Sequence, residues 1–434
     1  MRIVQLTPGS GGSFYCANCL RDAALVRALR QAGHEVSFVP LYLPIASDEG
    51  APLAGKDIYF GGLNVYLQQK LAIFRKTPRW IDALLDRPGL LRWIGKKAGM
   101  TNAADVAETT ISMLQGEQGR QVKELNRLAD FLAGADKPDV ICLSNALLLG
   151  LAGKLKRRLD VPVVSVLQDE DIFLDALPVR HRDLAWQVMA ERAAEADGFI
   201  AVSRYFADFM TDRLNLPAER VVVAWPGIDL TGYGPPERPP DQPTIGFLER
   251  LCADKGFDTL TKAFILLKSS GRHPGLKLRA CGGYTSADRP FVYECMRELS
   301  RAGLAGDLEL AQDFTKAGRI SFLHSLSVMS VPARHKEGFA LYALEAMAAG
   351  VPVVAAPEAS FPELISQTGG GTLSRSNSPE DIAEAISQLV DDPNRASQLG
   401  KEGRFAVMRQ FGAAQAADRF IQACRKLCGA ASGR

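Results

Sequence analysis

No apolar run in the chain approaches the roughly 18 residues that a membrane-crossing helix needs, so no spanning helix is expected. Nor is there an excess of either charge. The 51 Lys and Arg against 49 Asp and Glu leave a formal +2, which gives no global electrostatic reason to bind nucleic acid. A signal-peptide pattern is missing, because Arg2 is followed by one short strand pattern and a glycine turn. Eight cysteines in 434 residues, several inside apolar strands, read as reduced thiols. The expectation is a cytoplasmic protein.

Two nucleotide signatures are also lacking. The turn Gly9-Ser10-Gly11-Gly12-Ser13-Phe14 has Phe14 where a dinucleotide fingerprint has its third glycine. The next strand ends Pro40-Leu41-Tyr42, without the acid that would hold a ribose. The turn does not end in Gly-Lys-Ser/Thr either, so it is not a triphosphate loop. No cofactor-lysine pattern of a phosphorylase is evident.

What the chain does have is apolar strands alternating with amphipathic helices in both halves, which predicts an α/β protein with two doubly wound parallel sheets. At 434 residues, 47% hydrophobic and 23% charged, it can support two cores. Residues 233–243 contain Pro235, Pro236, Pro239, Pro240 and Pro243, a density that excludes regular structure and marks a linker. We expect one domain over 1–235, a second over 243–405, and a terminal helix within 406–434.

The most informative run is 335–356. It places Glu337 and Glu345 eight positions apart, before the apolar segment Val351 to Ala356, which reads as a buried parallel strand. Leu341, Leu344 and Met347 suggest an amphipathic helix over 339–349, stopped by Gly350. Were the span all helix, the two acids would be about 12 Å apart along its axis. A pair of acids acting on one glycosidic bond needs about 5 to 9.5 Å. They suit two ends of an extended ligand better, with the amides at Gly338 and Phe339 facing a phosphate between them. Two surface acids flanking a core helix is the plainer reading of the same spacing.

A second cluster follows the strand pattern 244–248. Arg250 and Lys255-Gly256 precede a helix pattern carrying Phe257, Leu260, Phe264 and Leu267. Cations at the carboxyl end of a parallel strand stand where open sheets bind ligands. An Arg can grip a diphosphate bidentately, and a Lys adds a point charge. Taken alone, the pair would read as a solvated turn.

Together, the strand-Arg-x4-Lys-Gly-helix element and the acid-x7-acid element resemble the retaining glycosyltransferases of family 4, with the GT-B fold. Arg2 to Leu6, Gly11-Gly12, Gly33-His34-Glu35-Val36, Phe199 to Ser203, Trp225-Pro226-Gly227-Ile228-Asp229 and Phe361 to Ile365 extend the resemblance over most of the chain. It implies two Rossmann-like domains facing an interdomain cleft, with the first on the acceptor side and the second binding a nucleotide-sugar. The terminal helix would cross back to the first. Gly11 and Gly12 would allow close approach of donor phosphates. Arg250 and Lys255 would stabilise the departing nucleoside diphosphate, Glu337 would bind the donor sugar and Glu345 the ribose hydroxyls. Gly338, Phe339, Ala340 and Leu341 would complete the donor cradle, and Gly282 would let the base approach backbone. Ala340 stands where the family commonly has Gly.

Other stretches depart from the family. In Gln168-Asp169-Glu170-Asp171, Gln168 takes the place of a common His. Gln168, Asp169 and Glu170 are acceptor-side candidates, with an acid cluster at a helix start as the plainer reading. Asp169-x-Asp171 formally matches the metal motif of the other large glycosyltransferase fold, which works with a different sheet, and no metal or other cofactor is expected. Cys16-x2-Cys19 reads as structural thiols, as a redox pair or as half a metal site. Residues 70–100 carry Arg75, Lys76, Arg79, Arg87, Arg92, Lys96 and Lys97 among Phe74, Trp80 and Trp93. That composition suits peripheral contact with an anionic membrane surface, including the inner face of a membrane, or equally an inserted helical pair with a solvated basic face.

The function expected is metal-independent transfer of a sugar from a nucleotide-sugar to a hydroxyl of a carbohydrate, lipid-linked or small-molecule acceptor, with retention. A nucleotide-sugar epimerase of the same architecture and a non-catalytic carbohydrate-binding relative are the alternatives. The first would need an acid and a base near C2 of the sugar. The second would have lost Arg250, Lys255 or one of the acids.

Overall fold

The computed structural model describes residues 1–8, 17–42 and 103–432. Gly11, Gly12, Cys16, the side chain of Cys19 and the basic stretch 70–100 lie outside the described residues. Two compact units are present. One holds six strands and the chain from Ala417 onward, and the other is Pro226–Ala416.

The first unit is a six-stranded parallel sheet in the order β2-β1-β3-β4-β5-β6. Its strands are β1 (Arg2–Thr7), β2 (Glu35–Pro40), β3 (Val140–Leu143), β4 (Val163–Leu167), β5 (Gly198–Ala201) and β6 (Val221–Val223). All residues of β3, β4 and β5 are buried, as near-continuous apolar runs covered on both faces should be, with Ser165 the one polar side chain among them. The terminal helix Ala413–Ser432 packs on this sheet. A Cβ on Gly198 would lie 2.6 Å from a methyl of Leu427, so the absent side chain makes room for the helix.

The second unit has the order β12-β11-β10-β7-β8-β9, again all parallel. The strands are β7 (Thr244–Leu248), β8 (Lys277–Cys281), β9 (Leu308–Ala311), β10 (Val328–Ser330), β11 (Val353–Ala355) and β12 (Gly371–Leu373). Reading outward from β7 this is the doubly wound dinucleotide-fold order. Its direction reverses between β7 and β10, the crevice where open α/β sheets bind ligands. Residues 234–243, rich in proline, have no helix or strand.

The helix expected over 339–349 is Leu341–Ala348, and all eight of its residues are buried. It is a core helix rather than an amphipathic one, because its outer side is covered by the helix Pro393–Gln410. There Gly370 and Gly403 close over Met347, a contact that a Cβ on either would prevent. Among the described residues no helix is long and apolar enough to cross a membrane. Of the described cysteines, Cys142, Cys252, Cys281, Cys295 and Cys424 are buried and unpaired by disulfides. Burial pushes Cys281 and Cys295 up to about 12, which suppresses thiolate chemistry.

Candidate functional site

In the second unit the loops leaving β7, β8 and β10 converge at the switch point. Glu249 and Arg250 follow β7 directly. The Glu249 amide donates to the Cys281 carbonyl at 3.0 Å and Leu251 donates to Gly283 at 2.8 Å, which extends the sheet past its last regular residue. Gly282 explains how the two loops come so close. Its φ is +143°, and a Cβ there would sit 2.1 Å from the Glu249 carbonyl oxygen. The glycine therefore serves contact between strand ends, a reason the sequence reading did not consider. Gly282→Ala should cost at least about 1 kcal/mol. It should lower the melting temperature by a few degrees. An unchanged melting temperature would contradict this packing.

Arg250 is one-third exposed, with its Nε 3.8 Å from Asp288 Oδ2. Asp288 is fixed by the amide and hydroxyl of Thr285, which donate to the same oxygen at 2.9 and 2.6 Å. Burial opposes the charge on Arg250, but Cys252, Asp288 and Asp254 outweigh it and hold the guanidinium above its ordinary pKa.

Lys255 reaches back across the loop. Its Nζ lies 2.9 Å from Glu337 Oε1 and 3.5 Å from Glu249 Oε2. Gly256 closes this turn at φ +72°, against the Pro332 carbonyl. Glu337 is 3% exposed. Burial works to raise its pKa, but Lys255 and His335 prevail and hold it down to about 2. His335 stands with Nε2 3.3 Å from Glu337 Oε1 and Nδ1 3.0 Å from the Asp254 carbonyl. Glu337 is thus a fixed carboxylate, able to accept hydrogen bonds and unsuited to donating a proton.

The segment from Gly338 to Leu341 leads into the buried helix. Phe339 packs on Phe411 with ring centroids 6.2 Å apart. Ala340, fully buried, is the N-cap and offers no side-chain acceptor to the first turn. The Ala343 amide of the first turn donates to the Ala340 carbonyl at 3.1 Å, and the helix N-terminus brings its positive dipole end to this point, which suits an anion.

Glu345 lies inside the same helix, 4% exposed. Its Oε1 accepts from Arg319 Nε at 3.1 Å and Nη2 at 3.0 Å, and from the Tyr233 hydroxyl at 2.6 Å. Arg319 is anchored in turn by Nη1 donating to the Phe314 carbonyl at 2.8 Å. Burial, reinforced by Glu345, pushes the Tyr233 phenol far above its usual range, so it stays a hydrogen-bond donor. Tyr233, expected to open a loose linker, is buried.

Arg250, Lys255, Gly282 and Glu337 therefore gather around the ends of β7 and β8, with Glu345 on the helix that follows. Sequence reasoning missed Glu249, His335, Arg319 and Tyr233 as members of these clusters. Glu249 had a signal, an acid ending a five-residue apolar strand. Arg319 and Tyr233 had none.

In the first unit, Gln168, Asp169 and Glu170 follow β4. Glu170 is 1% exposed. Its two oxygens accept from the amides of Ala146 and Gln168, each at 2.7 Å, tying the loops after β3 and β4 together. Burial pushes it up to about 8 against the pull of those amides. Gln168 Nε2 donates to the Ser144 carbonyl at 2.5 Å. Asp169 takes a left-handed backbone at φ +54°, a conformation that Asp, like Asn, enters more readily than most residues with a side chain. Near the same strand ends a buried Asp22 accepts from Thr7 and pairs with Arg21 at 2.5 Å. Among the described residues no three His, Cys, Asp or Glu side chains are grouped so as to hold a metal ion.

Comparison with known proteins fits this geometry. The model of the family described as Glycosyl transferases group 1 matches residues 234–405, and that described as Glycosyltransferase Family 4 matches 108–231. The D-inositol 3-phosphate glycosyltransferase of Corynebacterium aurimucosum is 29% identical over 222 residues, 48% of this chain and 52% of that protein. The GDP-mannose-dependent alpha-(1-6)-phosphatidylinositol monomannoside mannosyltransferase of Mycolicibacterium smegmatis is 27% identical over 291 residues, 63% of this chain and 72% of that one. The chain spans about half the length of the first of these relatives. Among solved structures, HepE of Anabaena in complex with UDP has a TM-score of 0.67 at 16% identity, covering 97% of this chain and 99% of its own. Sucrose-phosphate synthase from Thermosynechococcus elongatus has 0.68 at 18%, covering 99% of each chain. At such identities these two speak for the fold alone. The two adjoining family matches, in the order of the two sheets that carry them, identify the chain as a member of the group 1, family 4 glycosyltransferases with the GT-B fold.

Proposed function

We propose that the protein transfers a sugar from a nucleotide-sugar to an acceptor hydroxyl with retention at the anomeric carbon, and that its own cations do the work a divalent metal does elsewhere. The observation that carries this reading is the convergence of Arg250, Lys255 and the start of the helix Leu341–Ala348 at the switch point of one sheet. A diphosphate leaving a sugar develops negative charge on its terminal phosphate. Arg250 and Lys255, with fixed amides beside them, would stabilise that charge without reorganising. Glu337, held as a carboxylate, would accept hydrogen bonds from donor-sugar hydroxyls and position the anomeric carbon. Glu345, oriented by Arg319 and Tyr233, would take the ribose hydroxyls.

HepE was crystallised with UDP and with UDP-glucose, and the mycolicibacterial relative is named for GDP-mannose. UDP and GDP are therefore the first donors to try. The acceptor is a hydroxyl of a carbohydrate, lipid-linked or small molecule.

The test is a thermal-shift screen against UDP, GDP and ADP and their sugars, with and without Mg²⁺. It is followed by NMR of the product's anomeric configuration once a donor is found. A ligand at ~100 times its dissociation constant should stabilise by about 2.7 kcal/mol. A Mg²⁺-independent shift with one diphosphate, and product of the donor's own configuration, support the proposal. An inverted product removes retention, and a shift that strictly requires Mg²⁺ removes metal independence. Sugar isomerisation without an acceptor would favour the epimerase.

A further inference from the structure

Lys255 is claimed by two buried carboxylates before any phosphate arrives. Its Nζ is 2.9 Å from Glu337 Oε1 and 3.5 Å from Glu249 Oε2, and Glu249 is only 5% exposed. Several other groups face Glu249. From its own loop, Arg250 donates its amide to Glu249 Oε1 at 3.0 Å while its guanidinium lies toward Asp288. From the end of β8, Cys281 accepts the Glu249 amide. From the segment after β10 come Glu337 and, behind it, His335, whose Nδ1 meets the Asp254 carbonyl.

Three carboxylates (Glu249, Glu337 and Asp288) thus surround the two cations that a diphosphate would need. When phosphate oxygens engage Lys255, its attraction to the carboxylates weakens while negative charge at the site grows. Glu337 keeps His335 at 3.3 Å. Glu249 keeps a backbone amide and faces a neighbouring carboxylate, so it is the acid left least compensated.

We propose that Glu249 takes up a proton when a nucleoside diphosphate binds at Arg250 and Lys255 and gives it back when the nucleotide leaves, making donor binding proton-linked. This rests on the donor-site reading above. The proton comes from solvent and lands on Glu249 Oε2, while Oε1 goes on accepting from the Arg250 amide. No other bond forms or breaks. The free protein already leans this way. Burial, with a smaller push from Glu337, raises Glu249 against the pull of Lys255, whereas Glu337 is held down.

The sign follows from linkage. A group whose pKa rises on binding makes binding tighter at low pH, and affinity falls as pH climbs from its free to its bound pKa. The limiting slope is about tenfold in Kd per pH unit. Glu249→Gln mimics the protonated form permanently. It should bind at high pH more tightly than the wild type and lose this part of the pH dependence.

The experiment is calorimetric titration of the full chain with UDP, GDP and ADP in turn, in buffers of different ionisation heat, across pH ~5 to ~9. The expected result is that the wild type takes up more protons per nucleotide bound than Glu249→Gln, the difference approaching about one at its maximum. Equal uptake by the two at every pH overturns the proposal. So does a wild type that binds but takes up no proton beyond the nucleotide's own titration, a result that needs no variant to fold. Absence of binding by all three nucleotides overturns the donor-site reading and this inference with it, and is distinguished by the lack of any saturable heat.

Discussion

Arg250→Ala should slow sugar transfer by a factor on the order of 10² or more, with a smaller change in the donor's KM. The guanidinium is one-third exposed and is held beside Asp288 rather than buried in a closed pair, so it is oriented yet open to a ligand. A group aimed at charge that develops only as the diphosphate leaves contributes mainly to kcat. Steady-state kinetics with the donor found by screening checks this, with Arg272→Ala, an exposed Arg paired to Asp391, as the control that should leave the rate unchanged. An Arg250→Ala enzyme with wild-type kcat would remove the leaving-group role assigned to it.

Lys255→Met should be the most destabilising single change at the site. It keeps most of the side-chain volume but leaves Glu249 and Glu337 buried and facing one another, and breaking a buried pair this way costs about 3 to 5 kcal/mol. Its pH dependence identifies the cause. Glu337 has its folded pKa depressed from 4.5 to about 2, so the stability it contributes is present above pH 4.5 and lost as pH falls through that window. The wild type should therefore draw closer to the variant as pH drops from 4.5 toward 2, since the variant keeps only the share of this stability that His335 supplies. Urea unfolding at neutral and acid pH measures both limbs. A deficit that stays constant with pH would mean that Lys255 acts through packing alone.

The parts of this site readable from sequence are those written locally. Arg250 and Lys255 lie within one strand-to-helix turn, and Glu337 and Glu345 within one segment before a strand. A strand such as β3, Val140-Ile141-Cys142-Leu143, is apolar throughout and could only be covered on both faces. Convergence from a distance was not readable. Tyr233 and Arg319 reach Glu345 from 112 and 26 residues away. Nothing in either local sequence distinguishes them from a linker residue and a surface helix residue. The helix Leu341–Ala348 misled for a related reason. An apolar spacing of three and four reports the side facing the sheet, and says nothing of a second helix covering the other side. Glu170 reads from sequence as an acceptor-side candidate, and its spacing carries no trace of the two amides it accepts from in the interior.

Equilibrium binding of the nucleoside diphosphate to the wild type and to Glu345→Ala tests the donor site most directly. Glu345 should matter through the ribose hydroxyls, two hydrogen bonds to a charged acceptor worth about 1.5 to 3 kcal/mol each at most, so the variant should bind at least ~10-fold more weakly while remaining folded. Equal dissociation constants would contradict the account, because the ligand would then lie somewhere other than the switch point between β7 and β10.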